Sequence, residues 1–400
     1  MQVLVSNVGS TSLKFKLFSM PEDQVLCEAR IERVGSNTAI YQYKNTLTGW
    51  SVKQEGLQVR SYAAGIRLFL KDMTDESHGA AQSVSAVKGV GFKTVLAKGY
   101  NGVYELEAPV LKAMRDFLFI APAHNTPYLS AIEEFRNIMP DVSMVGVFET
   151  AFHATIPLKH RMYAIPYEWY EKYQVARMGY HGASFSYIAQ QSQEDGSYSK
   201  VIGCHLGGSC SVCAIKDGRS YDSSFGFSLQ SGIPHANRCG DTDAYLIPFL
   251  MNEGLSQEEI LEGLSKRGGL LGISGVGNDL REVEAAAAEG NERAQLAIDV
   301  FVVSVLRYIG SFYVELGGLD KLVFTGGIGE NSAHIRARIC KALSHIGIIL
   351  DTKANQDLKG EGYISAAGSA VKVQVIAANE ELGVARETYQ CICRKKKTGI

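Results

Sequence analysis

The segment Val323-Phe-Thr-Gly-Gly-Ile-Gly-Glu-Asn-Ser332 constrains this chain more than any other, because it has counterparts elsewhere. One is Val3-Leu-Val-Ser-Asn-Val-Gly-Ser-Thr-Ser-Leu-Lys14, and another is Val201-Ile-Gly-Cys-His-Leu-Gly-Gly-Ser-Cys-Ser211. Each reads as an apolar strand running into a turn of small polar residues. Glycine lets backbone N–H groups approach a ligand with no Cβ in the way, and such turns form anion-binding concavities. Three strand-ended turns point to a nucleotide cleft assembled from several loops. A single phosphate loop of the G-x-x-x-x-G-K-[ST] kind does not occur in the sequence.

The residues around these turns set the organisation. Phe15 and Leu17 alternate with Lys14 and Lys16, which predicts a hairpin folded about residues 7–12. The same pattern returns at 201–206 and 211–215, followed by the tight turn Lys216-Asp217-Gly218. Two hairpins half a chain apart suggest a duplicated domain. Between 291 and 316, Leu296, Ile298, Phe301, Val302, Val305, Leu306 and Ile309 fall at helical spacing, and Gly317-Gly318 ends the run. A strand over 321–325 then delivers the loop Gly326-Gly327-Ile328-Gly329, and Asn331 or Ser332 caps the next helix. A last helix begins near 378–386. The 400 residues suffice for two cores, so the expectation is an α/β protein with a cleft between two lobes.

Composition narrows the function. A net charge of −2 gives no electrostatic basis for binding nucleic acid or an acidic membrane surface. The eight cysteines form no zinc grid, and Cys210-x-x-Cys213 is expected to fall in a strand that turns its sulfurs apart. The N-terminus opens directly into a strand, and no apolar run is expected to reach membrane-spanning length. A reducing, cytoplasmic setting fits.

Eight motifs, in order, resemble the acetate/propionate kinase (acetokinase) family: Asn7-x-Gly9-Ser10-x-Ser12-x-Lys14, Phe148-Glu-Thr-Ala-Phe-His153, Gly179-Tyr-His-Gly182, His205-Leu-Gly207, Arg238-Cys-Gly-Asp241, Gly272-Ile-Ser-Gly275, Gly327-Ile-Gly-Glu-Asn-Ser332 and Asn379-Glu-Glu-Leu382. The resemblance implies two duplicated ribonuclease H-like domains of the actin/sugar kinase type, with an interdomain nucleotide cleft. The lobes would be 1–149 plus 382–400, and 150–381. It implies transfer of the γ-phosphoryl group of ATP to a small carboxylate, reversibly forming an acyl phosphate and ADP, with Mg2+ as cofactor and a homodimer as the assembly. Asn7 and Glu380 match the magnesium-associated pair. Ser12 and Lys14 match phosphate contacts of the first loop, and His205, Leu206, Gly207, Gly208 and Ser209 the second. Asp279, Leu280 and Arg281 match the segment near the adenosine, and Gly327, Ile328, Gly329, Glu330 and Asn331 the adenine-side loop. His181 and Arg238 match the groups proposed to stabilise the transition state. Such chemistry needs cations and N–H donors around the equatorial oxygens more than it needs a strong base.

The chain also departs from the family pattern. Phe92-Lys93 stands where the family has His-Arg, so Lys93, expected to anchor the acceptor carboxylate, lacks the bidentate fork. Glu149 replaces an aspartate and is expected to orient Lys93 or Arg238. Gly208-Ser209 replaces Asn-Gly. Val95, Ala123, Tyr180 and Leu229 stand at the acyl-pocket positions, and they suggest a roomier, more polar pocket and an acid other than acetate. The alternative is a nucleotide-binding protein of the same fold with weak or no kinase activity, acting as a sensor or assembly partner.

Overall fold

The computed structural model describes residues 1–9, 11–120, 122–194, 196 and 198–398, with the side chains of 122–124, 194 and 396–398 outside that description. The chain divides into two compact units, Met1–Ala151 with Asn379–Ile400, and Phe152–Ala378.

In the first unit, strands β1 (Gln2–Val8), β2 (Ser12–Ser19), β3 (Gln24–Glu32), β4 (Ser36–Asn45), β5 (Ser51–Val59), β6 (Val87–Thr94), β7 (Val103–Glu105) and β8 (Ser143–Phe148) form one sheet in the order β5-β4-β3-β2-β1-β6-β8-β7. The predicted hairpin is present: β1 pairs antiparallel with β2, with Asn7 opposite Lys14. On its other edge β1 runs parallel to β6, which runs parallel to β8. Helices α1 (Tyr62–Met73), α2 (Ala108–Asp116) and α3 (Pro122–Ile138) belong to this unit. Its core includes Phe15, stacked on Phe69 at 4.5 Å, with Phe92 and Phe135 beside them.

The second unit repeats the plan. Strands β9 (Lys200–His205), β10 (Ser211–Lys216), β11 (Arg219–Ser223), β12 (Lys321–Thr325), β13 (Gly362–Tyr363) and β14 (Lys372–Val375) are ordered β11-β10-β9-β12-β14-β13. Here too a central opening strand, β9, has its antiparallel hairpin partners on one side and parallel strands on the other. The helices are α4 (Leu158–Arg161), α5 (Tyr167–Tyr173), α6 (Gly182–Glu194), α7 (Leu246–Asn252), α8 (Gln257–Lys266), α9 (Gly269–Ser274), α10 (Leu280–Ala288), α11 (Glu292–Leu316), α12 (Gly326–Asn331), α13 (Ala333–Ala342) and α14 (Thr352–Asp357). The aromatic residues of α5 do not close into a core: Tyr167, Trp169 and Tyr173 are exposed.

Helix α11 starts at Asn291, whose side chain accepts from the Ala294 N–H, and stops at Gly317 with φ 68°. By length and composition it could cross a membrane, with a mean hydropathy of 1.6 over its most apolar window, which corrects the expectation that no run reaches that length. Its apolar stripe is spent on the second core. Ala294, Ala297, Ile298, Phe301, Val302, Val305, Ile309, Phe312 and Leu316 recur every three or four positions and are buried with residues of β9, β10 and β12.

A second correction concerns the expected loop at 326–329, which is the helix α12, entered through Gly326 with φ 78°. The Glu330 carboxylate closes its single turn by accepting the Gly326 N–H at 2.9 Å. Ser332 is the residue that caps α13, accepting from Ile335 N–H at 3.1 Å.

The chain returns to the first unit through α15 (Glu380–Thr398), which packs on β1, β6 and β8. Gly89 and Gly91, alternate residues of β6, make this approach possible. A Cβ on Gly91 would lie 2.2 Å from the Thr388 Oγ1 and 3.0 Å from Val384 Cγ1. Gly91→Ala is therefore expected to force α15 outward and destabilise the protein by about 1–3 kcal/mol, measured as a lower urea midpoint.

Candidate functional site

Strands β9 and β12 run parallel, with His205 beside Thr325 at their carboxyl ends. Each then breaks into glycine. The break after β9 is held from several sides. Leu206 N–H donates to the Thr325 carbonyl at 2.8 Å, while the Leu206 carbonyl accepts from Ile328 and Gly329 N–H at 2.8 and 3.0 Å. A Cβ on Gly207 would lie only 3.7 Å from the Gly327 nitrogen, so the two glycine segments are neighbours. Cys210 N–H donates to the His235 Nδ1 at 2.9 Å, and the Cys210 thiol donates to the Gly207 carbonyl at 2.9 Å. His235 is fully buried, and burial together with nearby Arg238 holds its pKa well below the ordinary imidazole value. It is a neutral anchor for the turn.

These segments wall a hollow of about 600 Å³, together with residues 278–281, Ala236, Glu284 and Ser332. Gly207, Gly208, Asp279, Leu280, Arg281, Gly327, Ile328 and Asn331 all line it. Parallel sheets place ligands beyond the carboxyl ends of their strands, where this hollow lies. A Cβ at Gly208 or Gly327 would meet no atom within 4 Å, so both glycines border open space. Asp279 caps α10 through the Arg281 N–H and pairs with the Arg281 side chain at 2.5 Å; these bonds lower its pKa to about 2. Glu330 faces elsewhere: its carboxylate accepts from the Gly326 and Ala378 N–H groups. Leu206 is buried and supplies backbone only.

His181 stands at a turn with φ 60°, a left-handed conformation that costs a non-glycine residue energy and is retained at functional sites. Its Nδ1 is 2.8 Å from the Ser211 Oγ, and its ring stacks on His205 at 4.0 Å; the His205 Nδ1 in turn is 2.9 Å from the Ser184 Oγ. His153 lies beneath this turn. A Cβ at Gly179 would clash with its ring at 2.4 Å, and its Nε2 is 2.8 Å from the Tyr180 carbonyl. That carbonyl can only accept, so Nε2 carries the proton and Nδ1 accepts from Ser220 at 2.8 Å. The expectation that Tyr180 adds a polar group seeking a partner is met inside the fold, because its hydroxyl donates to the Phe227 carbonyl at 2.8 Å and the ring is buried. Arg238 is half-buried and donates to the Leu229 carbonyl at 2.6 Å. Among the described residues its neighbour Asp241 is bonded to Gly232 N–H and Tyr308.

The first unit holds a separate group. Lys93, on β6, lies 2.8 Å from the Glu149 carboxylate and 2.5 Å from the Glu380 carboxylate. Burial alone would depress the ammonium's pKa, but the two acids overturn that and hold it well above the ordinary lysine value. Tyr128, on α3, donates to the Asn7 Oδ1 at 3.2 Å and accepts from Val8 N–H at 3.3 Å. Burial raises the Tyr128 pKa, and the charges of Lys93, Glu149 and Glu380 also act on it. Asn7, Lys93, Tyr128, Glu149 and Glu380 thus form one neighbourhood. Ser12 closes the first turn, its carbonyl accepting from Gly9 N–H at 2.9 Å. Lys14 stands opposite Asn7 on β2 and borders a surface recess with Lys16, Glu28, Arg30, Lys44, Lys53 and Glu381. Val95 is buried after β6, where the Asn125 amide donates to the Leu96 carbonyl at 2.8 Å and draws in the start of α3. Ala123 is in that helix; its side chain and Ser10 lie outside the described residues.

A family model described as the Acetokinase family matches residues 2–386. The chain belongs to the acetokinase family. It is 39% identical to the acetate kinase of Shouchella clausii over 395 residues, covering 97% of this chain and 99% of that protein. With the acetate kinase of Treponema denticola it shares 39% identity over 399 residues, covering 98% and 100%. Among solved structures it resembles Porphyromonas gingivalis acetate kinase (TM-score 0.87, 33% identity, 98% and 99% coverage) and a propionate kinase from Francisella tularensis (TM-score 0.88, 33% identity, 97% and 99% coverage). The duplicated α/β plan is therefore the actin/sugar kinase type. This acetokinase is a carboxylate kinase, and the reaction of its family is ATP-dependent phosphorylation of a carboxylate.

The donor set of the first unit fits a magnesium ion in kind. Asn7 offers an amide oxygen and Glu380 a carboxylate, both hard oxygen ligands. A divalent cation there would share the Glu380 carboxylate with Lys93. Elsewhere, His160 Nδ1 lies 3.2 Å from Asp222 and 3.6 Å from Glu315. Burial, and then Glu315, raise the Asp222 pKa to about 7. Sequence reasoning missed Tyr128, His235, Asn278 and Glu284. None belongs to a glycine-rich motif, and only Tyr128 carries a hint, as a tyrosine inside an otherwise ordinary helix.

Lys93→Met leaves Glu149 and Glu380 facing each other without their shared cation. It should destabilise the protein by about 3–5 kcal/mol, seen by chemical unfolding, and cut turnover at least about 100-fold in a coupled kinase assay. His153 supplies a pH dependence. Its burial lowers the folded pKa from 6.5 to about 4. Between those values the unfolded chain binds more protons than the folded one, so stability rises with pH across the window and is lost as pH falls through it. His153→Gln should flatten urea stability between those pH values, by up to about 1.4 kcal/mol per pH unit.

Proposed function

We propose that the hollow beyond β9 and β12 takes the nucleotide, and that the phosphoryl group passes in line to a carboxylate larger than acetate, giving an acyl phosphate and ADP. The observation that carries this reading is the mutual hold of the two glycine segments through Leu206, which leaves Gly208 and Gly327 bordering open space beside residues 279–281. Backbone N–H groups presented this way suit a polyphosphate. Arg238 and His181 supply donors for the oxygens of the group in transfer. Asn7 and Glu380 would hold magnesium, which when bound supplies a compact divalent charge. Lys93 neutralises the acids around that ion and offers a donor to the acceptor carboxylate. Glu149 fixes where Lys93 points.

Ala123, smaller than the family's leucine, supports a roomier acyl site. Because the Tyr180 hydroxyl is already bonded to Phe227, the altered preference is one of size more than polarity. The exposed Tyr167, Trp169 and Tyr173 support a homodimer. The double ion pair on Lys93 favours a second reading, a nucleotide-binding protein with weak turnover, since an ammonium held by two acids is less available to a substrate.

A panel of carboxylates assayed with ATP, reading ADP release and acyl hydroxamate, separates these. A C3–C5 acid is expected to exceed acetate in kcat/KM. Acetate as the best substrate would overturn the size argument, and ATP binding with no turnover on any acid would establish the second reading.

A further inference from the structure

One deeply buried cation of the second unit lies outside every motif discussed so far. Arg336, on α13, is 2% exposed. A guanidinium taken out of water costs several kcal/mol, usually offset by an acid. Among the described residues Arg336 has no acid partner; the four hydrogen bonds of its side chain all go to carbonyl oxygens. Nη1 donates to Gly329 at 2.9 Å and to Glu330 at 2.7 Å, the carbonyls at the C-terminal end of α12. Nε donates to the Asn355 side-chain oxygen at 2.7 Å, and Nη2 to the Asn355 backbone carbonyl at 2.9 Å. Asn355 is equally buried at 2% exposed, and its amide donates to the Ala333 carbonyl at 2.9 Å, where α13 begins.

A side chain needed only to fill space here would be better apolar. Replacing a buried ion by a hydrophobe of similar volume is often neutral or stabilising. What the guanidinium adds is direction. Its planar fork meets two successive carbonyls of α12 while Asn355 locks its other edge. The same turn is tied at its other end by Glu330 to Gly326, and through Ile328 and Gly329 to Leu206. Gly327, Ile328 and Asn331, which line the hollow, sit between these ties.

We infer that Arg336, held by Asn355, is a positioning residue for nucleotide binding: it sets where α12 stands in the hollow without touching the ligand. The inference rests on the reading of that hollow as the nucleotide site. It predicts an effect on ATP that is separate from stability and from the acceptor.

The experiment uses the full chain and compares Arg336→Met, Asn355→Ser and Asn355→Asp with the wild type. It reads the ADP dissociation constant by calorimetry, KM for ATP, KM for acetate, and the unfolding midpoint. Arg336→Met and Asn355→Ser should raise the ADP dissociation constant and the KM for ATP about tenfold or more, the loss of one charge-assisted hydrogen bond. KM for acetate should stay within about twofold, and Asn355→Asp, which keeps the acceptor oxygen, should restore ADP affinity. If Arg336→Met does not fold, Asn355→Ser is the milder change and carries the same expectation. A lowered unfolding midpoint with unchanged ADP affinity overturns the inference, as does an equal change in both KM values. Gly327→Leu separates the two levels of the argument, because its Cβ enters open space at the hollow. If it leaves ADP affinity unchanged, the nucleotide reading fails. If it weakens ADP while the Arg336 and Asn355 variants do not, only the positioning role fails.

Discussion

One carbonyl oxygen organises the second unit. Leu206 accepts from both Ile328 and Gly329, and these two hydrogen bonds make the end of β9 and the start of α12 one object. Neither glycine segment could form a site by itself, since a glycine-rich turn without external ties has too much conformational freedom to present its N–H groups in one arrangement. The ties accumulate around that oxygen. His235 and the Cys210 thiol fix the turn after β9, while Glu330 and Arg336 fix the two ends of α12. The flexibility that lets glycine approach a ligand is cancelled by neighbours that contribute nothing to the lining.

The first unit solves a different problem, the concentration of charge. Glu149 and Glu380 are 231 positions apart in the sequence and meet at Lys93. Two carboxylates this close are tolerable only because a buried ammonium stands between them, and it remains protonated because they surround it. Lys93 and Glu149 make sense as a pair in this setting. A lysine offers a compact point charge that two acids can share, and the longer glutamate reaches it.

Much of this was legible from pattern. Both hairpins, the strand over 321–325, the long helix with Asn291 and Gly317 at its ends, and the last helix followed from periodicity and capping, all local effects. The nature of residues 326–331 was not legible, because glycine-rich sequence is a poor helix former and its helical turn exists only through Glu330 and Leu206. The burial of α11 likewise depends on what surrounds it: composition alone does not separate a core helix from one facing lipid. In the site, the glycine turns announced themselves, whereas Tyr128, His235, Arg336 and Asn355 act through tertiary contacts that leave no periodic trace. Lys14 is exposed on β2 and stands opposite Asn7, as simple alternation along the strand requires.

The return of α15 to the first sheet has a consequence for biogenesis. During synthesis the strands β1 to β8 leave the ribosome long before Glu380 is made, yet Gly89 and Gly91 leave a furrow on β6 that only this helix fills. Until then the nascent N-terminal half carries an uncovered apolar strip and a lysine with only one of its two acids. The second unit, by contrast, is continuous in sequence and can complete itself first. The half that emerges earliest is thus the one whose sheet waits for its last helix.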